Sequence, residues 1–162
     1  MTNLPDNYFD GVRAETPIKE RLQALGFEIK PSSKYENKVL DIDCFLSLNG
    51  SRFAPTSIKN QRAAAFTGNF SFENRVQMRD TGKWQESWLW TGKAEVYVIQ
   101  VESDLYLVYK NRLHTYLKTN TVQCKKLSAK VKESQKNHPH MDATNLLINI
   151  EELIAAKVAR LL

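Results

Sequence analysis

Two aspartates and a lysine have the side-chain types that phosphodiester hydrolysis uses, and their spacing predicts that they face one side of a β-hairpin. Asp41 and Asp43 alternate with apolar residues in the stretch from Val39 to Leu48, which is typical of a strand with one buried face. Asn49-Gly50 then predicts a tight turn, and the next strand is expected from about Arg52 to Lys59.

The register of this hairpin decides whether the polar side chains meet. A strict two-residue turn would pair Lys59 with an apolar residue of the first strand and place its charge among apolar side chains. One extra residue in the turn, or a bulge near Pro55, instead pairs Ser57 with Asp43 and Lys59 with Asp41. We expect the second register, because it leaves the ammonium beside carboxylates.

Glu15 and Glu73 are further carboxylates that could reach this face. Glu15 lies at the start of a helix predicted over 12–25, with Pro17 in its first turn. Glu73 follows an alternating patch in "TGNFSFENRVQ". Carboxylates on neighbouring elements suit Mg²⁺ or Mn²⁺, and a nearby ammonium can position the attacking water or offset developing charge.

The remaining elements predict an α/β protein with a mixed central sheet flanked by helices. Strands are expected at about Phe27–Lys30, Ala94–Val101, Leu105–Tyr109 and Leu146–Ile150. "NRLHTYL" predicts a short helix, and a closing helix is expected from Glu151 to Leu162.

The order of these elements resembles the PD-(D/E)XK nucleases, a family that includes restriction enzymes, Holliday-junction resolvases and phage exonucleases. Its core is a helix, a short strand and then a hairpin that carries an aspartate and a (D/E)-x-K element. The matching stretches are "AETPIKERLQALGFEI", "DIDCFL" and "SIKNQ", followed by "TGNFSFE", "SWLWTGKAEVYVIQV" and "LYLVYKNRLHTYL". The resemblance implies a restriction-endonuclease-like fold and metal-dependent hydrolysis of DNA.

Carried over by position, Asp43 resembles the metal-binding aspartate and Lys59 the lysine of the x-K element, with Asp41 as the alternative aspartate. Ser57 stands where the family has Asp or Glu, and a hydroxyl is a poorer metal ligand. The resemblance makes Glu73 the replacement acid.

By the same resemblance, Glu15 is the helix-borne acid that assists catalysis. The expected metal ligands are Asp43, Glu73 and the carbonyl of Ile58. Gln61, two residues beyond Lys59, would orient substrate or water.

Length and charge fit this interpretation. The 162 residues allow a single domain, with a nuclease-like core over about 12–118 and a basic segment plus a closing strand and helix over 119–162. The formal charge is +5, and lysines are concentrated after residue 117. Of these, Lys125, Lys126 and Lys130 are candidate phosphate contacts. A solvated helix face explains the same lysines about as well.

Two rival hypotheses remain open. The chain could be a nuclease-fold module with a disabled site that binds nucleic acid or a protein partner, as Ser57 suggests. It could also form a homodimer through the apolar stripe of its closing helix. We expect a cytoplasmic protein with no membrane partner, because no stretch has the roughly 20 apolar residues of a membrane span. Cys44 and Cys124 are expected to be reduced thiols.

Overall fold

Two β-sheets and six short or medium helices make up the part of the chain that the computed structural model describes, residues 6–48, 50–126 and 140–162. The helices are α1 (Asp6–Ala24), α2 (Lys34–Leu40), α3 (Ala64–Thr67), α4 (Trp88–Thr91), α5 (Lys110–Thr119) and α6 (Ile150–Ala155). The strands are β1 (Phe27–Pro31), β2 (Cys44–Leu48), β3 (Ala54–Asn60), β4 (Asn69–Met78), β5 (Trp84–Glu86), β6 (Val96–Val101), β7 (Asp104–Tyr109), β8 (Gln123–Lys126), β9 (His140–Asn149) and β10 (Ala159–Leu161).

The first sheet is mixed and has six strands in the order β1-β2-β3-β6-β7-β10. Only the pairing of β3 with β6 is parallel, and the other neighbours are antiparallel. The expected α/β class and mixed sheet are therefore confirmed. The second sheet was not expected; it is antiparallel, with the order β5-β4-β9-β8.

The β2–β3 pair has the register that the charge argument predicts. Cys44 lies opposite Thr56, and Phe45 lies opposite Pro55. Continued by one residue, this register sets Asp43 beside Ser57. The extra residue lies in the connection between the strands, since Pro55 pairs regularly and forms no bulge.

The strand predicted from Val39 to Leu48 is wrong in its first half, where the chain forms α2. Ser33 caps this helix: its hydroxyl accepts from the amide of Glu36, and the Glu36 side chain accepts from the amide of Ser33. The S-x-x-E spacing of this capping box is visible in the sequence. The helix ends at Asp41, which has a left-handed backbone (φ 56°).

Helix α1 packs against one face of the first sheet through Ile18 and Leu22, which are fully buried. It begins at Asp6, well before the predicted start, and continues through Pro17. Glu15 therefore lies within a helix and not at its mouth.

The other face of the first sheet packs against the second sheet. Phe70 and Phe72 of β4 are fully buried there, in the same cluster as Tyr97 and Ile99 of β6. The alternation that makes Val96 and Val98 face α1 thus makes Tyr97 face the second sheet.

The closing helix is the other wrong element. Helix α6 ends at Ala155, and the chain then turns through Lys157 (φ 59°) into β10, which pairs with β7 at the edge of the first sheet. Leu153 and Val158 of the predicted stripe are buried in the chain's own core, so they are not free to form a dimer interface. The strand predicted at Leu146–Ile150 is the end of the longer β9.

Both cysteines are free thiols, Cys44 buried and Cys124 exposed, as expected. In the described part of the chain, no helix has the length and apolar character that crossing a membrane requires.

Candidate functional site

Asp43 lies at the edge of the first sheet, immediately before β2 begins, and its side chain takes the place of a ladder partner for β3. Its Oδ2 accepts the backbone N–H of Ile58 at 2.6 Å and the hydroxyl of Ser57 at 3.3 Å. Its own amide donates to the carbonyl of Thr56 at 2.8 Å. The carboxylate is therefore held in one orientation.

Residues of the segment before β2 hold Asp43 from the other side. The amide nitrogen of the Asn37 side chain donates to Oδ1 of Asp43 at 2.8 Å. The Ser32 hydroxyl donates to the carbonyl oxygen of Asp43 at 2.9 Å. Helix α2, which the sequence analysis missed, is thus the element that positions this aspartate.

Lys59 forms an ion pair with Asp41. Its Nζ lies 3.1 Å from Oδ1 and 3.4 Å from Oδ2, and both side chains are about three-quarters buried. The same ammonium lies 4.3 Å from the centre of the Trp88 ring, a distance at which cation–π attraction contributes. Asp41 is therefore the carboxylate that contacts the lysine, whereas Asp43 contacts the backbone of β3.

Sequence analysis missed a second lysine near Asp41. Lys110 follows β7, is only 7% exposed, and donates from Nζ to the carbonyl of Gly92. Burial lowers the pKa of this ammonium, while the charge of Asp41 opposes that shift. Burial, and then the charge of Asp41, raise the pKa of the Tyr97 hydroxyl, whose oxygen is buried without a partner among the described residues. The sequence signal for a buried lysine here was its position directly after the apolar run "LYLVY".

Glu15 approaches the same edge from α1. It pairs loosely with Lys19, at 3.8 Å. Burial and then the negative charge of Asp43 raise the pKa of the Glu15 carboxyl, while the ammonium groups of Lys19 and Lys59 lower it. The charges of Asp43 and Lys59, two residues predicted to act with Glu15, therefore both act on its carboxyl group. We call Glu15, Asp41, Asp43 and Lys59 the edge site.

The edge site does not lie on a single face of the sheet. Ile58 packs on the α1 side, so alternation directs Lys59 towards the second sheet, where it meets Trp88. Glu15 comes from the α1 side. Strand β2 begins only at Cys44, so it does not pair with the last residues of β3. Asp43 lies at this unpaired end, where side chains from both faces of the sheet can approach it.

The amide N–H of Ile58 points at Asp43. The N–H and C=O of one strand residue lie on the same edge of the strand, so its carbonyl also faces the uncovered edge. The predicted ligand role of this carbonyl stays a prediction.

Glu73 belongs to the second sheet. Its Oε1 accepts from the hydroxyl of Ser87, at the start of α4. Since Phe72 is buried between the sheets, alternation places Glu73 on the opposite face of β4. This described contact of Glu73 does not support the prediction that Glu73 shares a metal with Asp43.

Gln61 joins the two sheets. Its side-chain amide donates to the carbonyl of Ser71 at 2.7 Å and accepts the Ser71 amide at 2.8 Å. Both polar atoms of the side chain are therefore used on the backbone of β4, which explains the position of Gln61 without a substrate.

Of the three lysines predicted to bind substrate, only Lys125 has a side chain within the described residues. Lys125 is exposed on β8, opposite Asn145 of β9. The side chain of Lys126 and the whole of Lys130 lie outside the described residues.

Metal-binding residues do not form a crowded cluster at the edge site. Across the described ranges, no group of three or more histidine, cysteine, aspartate or glutamate side chains could hold a metal ion. Any cation would have two carboxylates, Glu15 and Asp43, with backbone or water oxygens completing its coordination.

Comparison with protein-family models, curated proteins and solved structures gave no match. The geometry of the edge site is therefore the basis for a functional proposal.

Proposed function

We propose that the chain is a Mg²⁺- or Mn²⁺-dependent endonuclease that hydrolyses DNA phosphodiester bonds at the edge site, in the manner of the PD-(D/E)XK enzymes. The observation that carries the proposal is the electrostatic convergence of Glu15 of α1, Asp43 just before β2 and Lys59 of β3 at the end of β3 that β2 leaves unpaired. The order helix, short strand, hairpin with Asp43 and an x-K element agrees with it.

The carboxylates fit a divalent cation. Asp43 raises the pKa of Glu15, which means that the two negative charges repel each other. A hard cation between them would remove that cost, and their oxygens are the ligand type it prefers. When bound, such a cation polarises a phosphate and acidifies a water. Glu15, Asp43 and the carbonyl of Ile58 would hold it.

Lys59 would contribute a fixed positive charge. Its pairing with Asp41 and its contact with the Trp88 ring hold the ammonium in one place. An ammonium held in place before reaction can orient a water or stabilise charge that develops on the phosphate oxygens. Asp41 would then act as a positioning residue for Lys59.

DNA is the proposed substrate because of the overall positive charge, +5, and the exposed Lys125 on the second sheet. Positive charge of this kind contacts phosphates without regard to base sequence.

The test is cleavage of plasmid, branched and single-stranded DNA with Mg²⁺ or Mn²⁺. Lys59→Ala should lower the rate about 100-fold or more, the size typical for the loss of one preorganised charge. Lys118→Ala, which removes an exposed lysine of α5, is the matched control and should cleave normally. Cleavage that survives Lys59→Ala would overturn the assignment.

A disabled binding module is the second candidate. Ser57 is fully buried and its hydroxyl bonds to Asp43, so a neutral group stands where the family has a carboxylate. Ser57→Asp distinguishes the two. If the site binds metal, the added charge should destabilise the metal-free protein, and Mg²⁺ should restore its melting temperature. Ser57→Asn is the neutral control, and equal behaviour of both variants with and without Mg²⁺ would favour the binding module.

A further inference from the structure

A groove of about 500 Å³ opens where β3 ends. One wall is the connection from β3 to α3, and the other is formed by β8 and β9 of the second sheet. Asn60, next to Lys59 in sequence, lines the groove, and Gln61 and Ser71 form its floor through their paired hydrogen bonds. The groove is therefore adjacent to the edge site along the chain but distinct from it.

The groove is positively charged. Arg62 and Lys125 line it from opposite walls, and both are exposed. No aspartate or glutamate is among the described residues that line it. Two exposed cations that line one groove, with no carboxylate among its described lining residues, attract a phosphate.

An exposed aromatic ring belongs to the short helix at the rim of the groove. Phe66 is 88% exposed, more than any other large apolar side chain in the described ranges. It lies in α3, whose residues Ala64 and Thr67 line the groove, while Phe66 itself is outside the lining. A single exposed ring needs no explanation by itself, but aromatic rings close to positively charged grooves are the surfaces on which bases of single-stranded nucleic acids stack.

We propose that the groove binds one nucleotide of a single-stranded segment, with its phosphate between Arg62 and Lys125 and its base stacked on Phe66. The size fits this ligand, because pockets for small organic molecules measure about 300–1,000 Å³ and a duplex would not enter. The inference rests on the proposed function only in placing this nucleotide next to the cleaved bond. Binding itself can be measured without cleavage.

The experiment is fluorescence anisotropy with a labelled 12-nucleotide single strand and its duplex, in EDTA so that no metal-dependent cleavage occurs. Phe66→Ala should weaken single-strand binding about 5- to 100-fold, the range found for loss of one stacked base. Tyr35→Ala removes an equally isolated exposed ring of α2 and should bind as the wild type does.

The cations are tested by the salt dependence of binding. The double variant Arg62→Ala, Lys125→Ala should reduce the slope of log affinity against log salt by about 0.7, since the two cations share one phosphate and each neutralised phosphate of a single strand contributes about 0.7. Arg160→Ala, at the far edge of the first sheet, changes charge elsewhere and should leave the slope unchanged.

The outcomes separate the two proposals. Normal binding by Tyr35→Ala and Arg160→Ala, together with loss of binding by Phe66→Ala, supports the groove even if no variant cleaves DNA. Wild-type binding by both groove variants overturns the groove, whether or not the protein cleaves. Equal affinity for a deoxynucleoside monophosphate, or for polyglutamate, also overturns it, because the ligand would then be a free nucleotide or an acidic peptide.

Discussion

The ammonium of Lys59 lies 3.1 Å from the carboxylate of Asp41, a residue that belongs to no strand and has a left-handed backbone. Aspartate and asparagine adopt this conformation more readily than other residues with a side chain. The residue that ends α2 therefore also fixes the lysine of β3. One residue thus ends the helix through its backbone and forms the ion pair through its side chain.

Asp41→Asn should separate these two tasks. Asparagine keeps the left-handed backbone but removes the charge that holds Lys59. We expect cleavage to fall about 10- to 100-fold, as for a misplaced catalytic group, while stability falls by about 1–3 kcal/mol, since the ammonium of a largely buried pair loses its charged partner. Cleavage assays and urea unfolding measure the two effects. Asp41→Gly, which has no side chain, should reduce cleavage equally; normal cleavage by either variant would contradict the positioning role.

Asp43 should be needed for stability as well as for metal. Asp43→Ala leaves the amide of Ile58 without its acceptor, and we expect a loss of about 2–4 kcal/mol in the free energy of unfolding. Asp43→Asn retains an acceptor oxygen, so it should fold and yet lose Mg²⁺-dependent cleavage. Urea unfolding checks the first result, with exposed Asp104→Ala as the control. An Asp43→Ala protein as stable as the wild type would refute the anchoring role.

Glu15 should make stability depend on pH and on Mg²⁺. Its pKa is raised from an ordinary 4.5 by burial and by Asp43, so the folded state disfavours its charged form. This cost is absent below pH 4.5 and grows as the pH rises through the folded pKa. Glu15→Gln should therefore raise the melting temperature at pH 7.5, by on the order of 2 °C, with a smaller gain at pH 4.

The same variant tests the metal. Mg²⁺ at pH 7.5 should raise the melting temperature of the wild type more than that of Glu15→Gln, because the proposed Mg²⁺ site uses the carboxylates of Glu15 and Asp43. Glu20→Gln, an exposed change on the same helix, should respond as the wild type does. An equal response of Glu15→Gln would count against the proposed ligand.

Gln61 should contribute to stability through the contact between the sheets. Gln61→Ala removes both hydrogen bonds to the backbone of Ser71. At about 1 kcal/mol for each bond, the expected loss is about 2 kcal/mol by urea unfolding. Exposed Gln85→Ala is the control. Unchanged stability with lost cleavage would instead support the substrate role first predicted.

The hairpin register was predictable because a mistake there would bury a charge. The S-x-x-E box of Ser33 and Glu36 shows why the neighbouring helix was missed: alternation from Leu40 onward masked a local capping signal. Alternation does not show at which residue a strand begins, whereas a capping box marks the residue at which a helix begins.

The second sheet could not be predicted from local pattern. Its main pairing joins Phe72 to Leu146, far apart in sequence, and no spacing rule links them. The apolar stripe of the last residues fits one long helix as well as a helix followed by a strand. The chain forms strand β10 because β7 offers an edge with which it can pair. Lys110 was missed for the same reason, since its closeness to Asp41 depends on how distant segments pack.

The charges around the edge site nearly cancel. Four ammonium groups act there, Lys19, Lys59, Lys110 and Lys93, against the three carboxylates of Glu15, Asp41 and Asp43. An incoming polyanion therefore meets little net repulsion from this zwitterionic patch, even before a cation arrives. On the proposed function, this balance predicts that cation and polyanion can bind in either order.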